Sequence, residues 1–359
     1  MIRRATGRAG GRAIGPAERL AYAAAQAARV SFFVGQSALA ARMTGPAVPK
    51  AERPPGLRTP DRETLLAELR ALFRQDLANI EAGFYRMPRD LVIPPGEAIG
   101  GALRFFRDLP AVTRRRREKA NAEPFRTPPP GTPKLPRYYL QNFHYQTDGW
   151  LSADSARLYD HQVEVLFGGG ADAMRRQALV PIHVHLKGRR VSDCRLLDVA
   201  TGTGRFLGAV KDNWPGLPAA ALDLSVPYLR EARRRLRRAR GVSFVQGAAE
   251  ALPFPDASQD VVTCVYLFHE LPKKIRARAA AEMARVTRPG GIVVVADSLQ
   301  FGDRPTLDGL LELFPLGFHE PYFADYARAD IPALFAPHGM EPVGISLAYL
   351  TKVMVYRKL

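Results

Sequence analysis

"RLLDVATGTGRFLGAV" (residues 195–210) decides the fold. Its first half is apolar and strand-like, ending at Asp198-Val199-Ala200; Gly202 and Gly204 follow, and a helical pattern begins. Strand, glycine turn and helix in that order make one unit of an α/β sheet, with a backbone that turns tightly and lets a ligand come close. Nineteen residues after Gly204, Asp223 closes a second apolar run in "ALDLS" (221–225). An acid at that spacing can accept both hydroxyls of a ribose, so loop and acid together point to a nucleoside-containing cofactor.

The same alternation continues outward. Apolar β-type runs fall at 194–200, 219–224, 243–246, 260–267, 291–297, 342–349 and 351–357, with helical patterns between most of them. The expectation is a doubly wound, mostly parallel seven-stranded α/β sheet over 141–359. No fixed-period repeat is present, which argues against a solenoid or propeller.

The loop also discriminates between cofactors. A dinucleotide fingerprint reads G-x-G-x-x-G, whereas here Gly208 gives G-x-G-x-x-x-G. Asp198 at the strand end is a poor neighbour for a pyrophosphate, which prefers an unopposed helix N-terminus. It suits a cofactor with positive charge and no phosphate, such as S-adenosylmethionine with its sulfonium and ammonium groups. "LLDVATGTGRFL" (196–207), "LDLS" (222–225), "VQGAAEALPFPDASQDVVTCVYLFHEL" (245–271) and "VTRPGGIVVVAD" (286–297) resemble the motifs of class I S-adenosylmethionine-dependent methyltransferases, in the branch acting on quinones and other small molecules. The resemblance covers about 190–297 and implies a Rossmann-like methyltransferase fold. It also implies that Asp198, Gly202 and Gly204 line the methionine end and that Asp223 holds the ribose. Ala200, Leu224 and Tyr266 are expected to join them as cofactor-binding residues. The family often has an acid where this chain has Ala248. Adenine recognition then falls to the backbone around Ala248 and Ala249, to Glu250, or to packing by Leu252.

Methyl transfer is an in-line displacement in which the cofactor supplies the reactive group and the protein aligns a nucleophile and excludes water. In this fold the end of the fourth strand, here "YLFHEL" (266–271), faces the methyl group. The Asn/Asp-Pro-Pro-aromatic motif of DNA and protein amine methyltransferases is absent there. Cys194 and Cys264 lie at or within strands, which does not suit cytosine C5 chemistry. His269 is the general-base candidate, because imidazole titrates near neutral pH; its alternative role is to shape the bend. A second Phe-His-Glu at 318–320 brings His319 and Glu320 forward as further catalytic candidates, with Tyr322 beside them. "NFHYQTDGWLSADSARLYDHQVEVLF" (142–167) mixes rings with polar groups. Tyr145, Trp150 and Tyr159 are expected to cover cofactor and substrate as a lid. The competing role is a rigid hinge to the N-terminal helices.

Ahead of 141 a basic, Ala-rich tail (1–55) and a helical extension with a Pro-rich linker (56–140) are expected. Residues 1–51 carry eight basic residues and one acid, Glu18, around the Ala-rich stretch 20–43. Gln26, Arg29 and Gln36 make it a poor membrane span. Ala38-Leu39-Ala40 resembles a signal-peptide cleavage site, but Arg29 breaks the apolar stretch such a peptide needs. The expected form of 1–55 is an amphipathic helix that lies on an anionic membrane or docks on the body. Pro/Gly linkers at 45–60 and 123–139 bracket 56–140, and the first implies a body that folds without the tail. Between them, Thr59 and Pro60 are expected to start a helix with an apolar stripe from Leu65 to Ile80.

A net charge of +17 favours anionic partners. Two distant cysteines argue against a disulfide framework or a cysteine-held zinc site and for a reducing compartment, so a cytoplasmic protein without a metal is expected. The leading function is S-adenosylmethionine-dependent methyl transfer to a small, lipophilic acceptor. An RNA methyltransferase is the alternative raised by Arg114–Arg117 and "REARRRLRRAR" (230–240), though nucleic acid finds no recognisable binding module here. A non-catalytic S-adenosylmethionine-binding protein is the third.

Overall fold

The computed structural model describes residues 14–120 and 135–359. The first arginines of the tail and most of the second Pro-rich linker lie outside the described residues. The extension contributes three long helices: α1 (Pro16–Thr44), α2 (Arg62–Glu81) and α3 (Pro95–Glu118). Helices α4 (Ala153–Leu166), α5 (Ala171–Arg176) and α6 (Leu179–Leu186) lead into the sheet. Then β1 (Leu196–Val199), α7 (Arg205–Asn213), β2 (Ala219–Asp223), α8 (Val226–Arg235), β3 (Val242–Gln246) and β4 (Gln259–Val265) alternate. They are followed by α9 (Lys273–Val286), β5 (Thr287–Ser298), α10 (Asp308–Gly317), α11 (Phe323–Tyr326), α12 (Ile331–Phe335), β6 (Met340–Ala348) and β7 (Thr351–Lys358).

All seven expected strands form one sheet in the order β3-β2-β1-β4-β5-β7-β6. Five pair in parallel, and β7 runs antiparallel between β5 and β6. The hairpin follows from chain length, because only Tyr349 and Leu350 separate β6 from β7 and a parallel crossover needs a dozen residues or more. β1 is buried throughout. Leu197 and Val199 pack into one core and Leu196 into the other, as expected of a strand covered on both faces. The strand order reverses between β1 and β4, and the carboxyl ends of strands at such a point form a crevice.

Helix α1 is docked on the body rather than free. Tyr22, Arg29, Phe33 and Gln36 are buried along it. Arg29 reaches Glu164 at 2.5 Å, Asp172 at 2.7 Å and the Gly169 carbonyl at 3.0 Å. Tyr22 donates to Asp76, which also receives two hydrogen bonds from Arg176. The polar residues that spoil a membrane span thus form the seam with α2, α4 and α5. The segment 45–60 packs as well: a Cβ at Gly309 would stand 1.9 Å from the Arg58 carbonyl oxygen. Helix α2 begins later than expected. Asp61, not Thr59, is the cap, and its carboxylate accepts from the Thr64 amide at 2.8 Å, a stronger partner for the helix's positive end than a hydroxyl. Helix α3 runs on through the arginine run, and Arg115 is buried there, donating to the Tyr145 carbonyl at 2.8 Å and to Thr147 at 2.6 Å. No helix among the described residues is long and apolar enough to cross a membrane.

Candidate functional site

The crevice at the ends of β1 and β4 holds a cavity with about 750 Å³ of empty space, part of it open to solvent. Ala200, Gly202, Asp223, Leu224, Ala248, Ala249 and Tyr266 line it, with Tyr138, Tyr139, Trp150, Tyr159, Tyr228 and Glu270. Ala200 and Tyr266, just beyond their strands, both adopt positive φ (56° and 57°). Such conformations persist where the surroundings impose them, often at functional sites. Gly202 (φ 56°) has nothing within 4 Å of a Cβ position, so its backbone is open to a ligand.

Asp223 is fixed from behind. One carboxylate oxygen accepts from the Gly202 amide and the other from the Ser225 amide, each at 2.8 Å. A carboxylate has about four acceptor sites, so these bonds leave acceptor capacity for a ribose. The loop amide of Gly202 is thereby spent on an internal anion, which fits a cofactor without phosphates. Burial pushes Asp223 up to about 6 and Asp198 up to about 6, the latter with threonine hydrogen bonds opposing. Asp198 and Gly204 do not line the cavity. Asp198 lies beneath the loop and accepts from Thr201 and Thr263, both at 2.7 Å. Gly204 packs against Ala232 of α8. Leu252 is in the core, and Glu250 accepts from Tyr138 at 2.7 Å. On that side the cavity is walled by Gly247, Ala248 and Ala249.

The aromatic run forms a strap over this cavity. His144, Tyr145, Asp148 and Gly149 all have positive φ. At Gly149 a Cβ would stand 2.5 Å from the Gln141 carbonyl, which excludes other residues without a shift. Trp150 stacks on Phe143 (centroids 4.2 Å apart, planes 3° apart), and its carbonyl accepts from Ser225 at 2.6 Å. Tyr145 and Tyr322 lie outside the cavity wall. Tyr322 accepts from Gln141 at 2.7 Å, and Gln141 also meets His319 at 2.7 Å.

A second cleft, with about 980 Å³ of empty space, lies between α1, α3, α4 and the strap. It is lined by Phe105, Leu109, Val112, Val163, Leu166 and Phe318, among others. Tyr159 lines both spaces; His144 lines this cleft and Glu270 the first. The two Phe-His-Glu triplets converge at that junction. His144 Nε2 stands 3.2 Å from Glu320 and 3.8 Å from Glu270. His269 Nδ1 meets Asp297 at 2.5 Å, and its Nε2 is 3.4 Å from Glu270. Burial opposes charge on His269, but Asp297 and Glu270 outweigh it and hold the imidazole pKa well above its ordinary value. Burial lowers His144 to about 4. Burial, then the facing Glu270, pushes Glu320 well up. His144, Glu270 and Asp297 were not singled out from the sequence; the repeated Phe-His-Glu was the available signal for Glu270, while His144 was hidden among rings.

Residues 196–291 match the family model described as a methyltransferase domain. This segment is similar to methyltransferase domains. The donor set around Asp223 fits a ribose-bearing cofactor without phosphates. The chain is 39% identical over 146 residues to the demethylmenaquinone methyltransferase of Renibacterium salmoninarum, covering 40% of this chain and 55% of that protein. It is 36% identical over 102 residues to a malonyl-[acyl-carrier protein] O-methyltransferase of Xylella fastidiosa (28% of this chain, 33% of that protein). The chain thus spans little more than half the length of the first of these curated relatives. Among solved structures, the 1,6-didemethyltoxoflavin-N1-methyltransferase of Burkholderia thailandensis is 21% identical, with 52% of this chain and 79% of that chain covered and a TM-score of 0.40.

Proposed function

We propose that this chain transfers a methyl group from S-adenosylmethionine to a small, lipophilic acceptor, of which a quinone-like ring with an apolar tail is the leading example. The observation that carries this reading is the apolar cleft that meets the cofactor cavity at Tyr159. The identity to demethylmenaquinone methyltransferases supports the same class. Cofactor and acceptor would enter from opposite sides of that tyrosine and meet at His144, Glu270 and Glu320. Alignment in a closed site can supply roughly 7–11 kcal/mol. Trp150 and Tyr159 wall off water, while Tyr145, Tyr322 and His319 brace the strap. His269 has both ring nitrogens engaged and positions Glu270; Glu320 faces the acceptor. The tail's exposed Leu39 and Met43 beside Arg42 would give peripheral contact with an anionic membrane, which sedimentation with anionic vesicles at low salt tests.

The deciding experiment incubates full-length protein with methyl-labelled S-adenosylmethionine, demethylated quinones and the lipid and RNA fractions of cells. Label is expected in a lipid-soluble small molecule. Label confined to RNA would replace this reading with RNA methylation. Cofactor binding with no label transferred would replace it with a non-catalytic role.

A further inference from the structure

The junction between the two spaces buries two glutamates whose carboxylate oxygens are short of hydrogen-bond partners. Glu320 has a fully buried side chain, and neither of its carboxylate oxygens accepts a well-formed hydrogen bond. Oε2 of Glu270 is in the same condition. Buried polar groups in folded proteins are almost always paired, and the exceptions call for an explanation such as a bound ion. The explanation has to bring positive charge or a proton to a point between two glutamates and a histidine.

The donor atoms of His144, Glu270 and Glu320 all lie within 4.8 Å of one another. Around a cation with bonds of about 2.0–2.2 Å, neighbouring ligand atoms sit about 3–3.5 Å apart. His144 Nε2 is already 3.2 Å from Glu320 Oε1 and 3.8 Å from Glu270 Oε1, so rotamer adjustments bring the set to those spacings. We propose that His144 Nε2 and one oxygen each from Glu270 and Glu320 bind a single divalent transition-metal cation at the meeting point of the cofactor cavity and the acceptor cleft.

The surroundings are those of a metal centre. One imidazole and two carboxylates, with no thiolate, suit zinc, cobalt, manganese or iron(II). The low cysteine count that argues against a cysteine-held zinc site does not bear on this donor set. Three protein ligands leave positions open, as centres that bind substrate do. Outer contacts fix the ligands: His269 links Glu270 to Asp297, and the His144 amide donates to the His319 carbonyl at 3.3 Å, tying the strap to the Glu320 loop. The open positions face the acceptor cleft that His144 lines, so the cation would hold and polarise an acceptor oxygen, a Lewis-acid role. That role rests on the methyl-transfer reading; the binding of the cation does not.

The test is metal binding by untagged full-length protein stripped with a chelator, using Zn²⁺ and Co²⁺ as probes. Calorimetry should find one equivalent bound with a micromolar or tighter Kd, and the cobalt form should show visible d–d bands. Glu320→Gln and His144→Gln should each weaken zinc at least about tenfold, the scale on which even outer-shell changes act. S-adenosylhomocysteine binding and a cooperative melt certify the fold of each variant, since neither residue lines the cofactor cavity. Wild-type protein taking up less than about a tenth of an equivalent at 0.1 mM Zn²⁺ would overturn the proposal and assign the pair a shared proton. So would a folded Glu320→Gln protein with wild-type zinc affinity. If neither variant folds, the wild-type stoichiometry and the cobalt spectrum decide alone. Methyl transfer is not read, so failure here leaves the proposed activity standing, and the reverse also holds.

Discussion

Asp223 and Asp198 give the cofactor site a pH dependence whose sign can be worked out. Both carboxyls have folded-state pKa values raised to about 6, against about 3.9 for a free aspartate. Their contribution to apo stability is therefore fully present below about pH 4 and lost as pH rises through about 6. A ligand that donates hydrogen bonds to Asp223 and brings positive charge over Asp198 favours the ionised forms. S-adenosylmethionine affinity should fall as pH drops below about 6, and near that pH calorimetry in two buffers of different ionisation enthalpy should detect proton release on binding. Asp223→Ala should cost about 1.5–3 kcal/mol of binding, the range for hydrogen bonds to a charged group. Asp223 was legible because its role depends on spacing along the chain. The resemblance set Asp198 against the methionine end, but its carboxylate points to Thr201 and Thr263, and the direction of a side chain at a strand end is set by neighbours remote in sequence.

At the scale of elements, α1 carries the clearest consequence. Arg29 is buried against Glu164 and Asp172, and removing one partner of such a group costs about 3–5 kcal/mol. Arg29→Met should lower the stability of the protein by that amount in urea unfolding, far more than Arg42→Met on the exposed face. Deleting residues 1–55 should yield a protein that melts without cooperativity, because Tyr22, Arg29, Phe33 and Gln36 leave with it; circular dichroism checks this. The strands were legible because each is a short apolar run and the sheet is buried on both faces. The docking of α1 was only one of two forms the sequence offered, since Arg29 and Gln36 look like interruptions until their partners, more than a hundred residues away, are in view.

At the scale of the molecule, the glycine loop, Asp223 and the β4 end make a cofactor half, while α1, α3, α4 and the strap build the cleft beside it. Changes in that second half should alter acceptor use and leave the cofactor alone. Phe318→Ala, in the cleft wall, is expected to raise the KM for the lipid-soluble acceptor at least about tenfold while the Kd for S-adenosylhomocysteine stays within about twofold. Equal losses of both would mean that the two halves are not separable. The sequence resemblance spans the cofactor half only; the strap alone was read as a cover for substrate, and that α1, α3 and α4 join it around one cleft depends on contacts remote in sequence.

One carboxylate crosses that division. Asp172 receives Arg29 from α1 and also Arg205, the first residue of the helix that follows the glycine loop. The seating of the N-terminal helix and the set of the cofactor loop therefore share an anchor, and free-energy coupling between two such events is reciprocal. A cofactor that steadies the loop must also steady α1, and an N-terminal helix lifted from its seat must weaken the cofactor by the same factor. Amide hydrogen exchange along α1 should slow when S-adenosylhomocysteine is added, although no residue of that helix lines the cavity. The tail would then serve as a gauge, reporting at one end of the protein whether the other is filled.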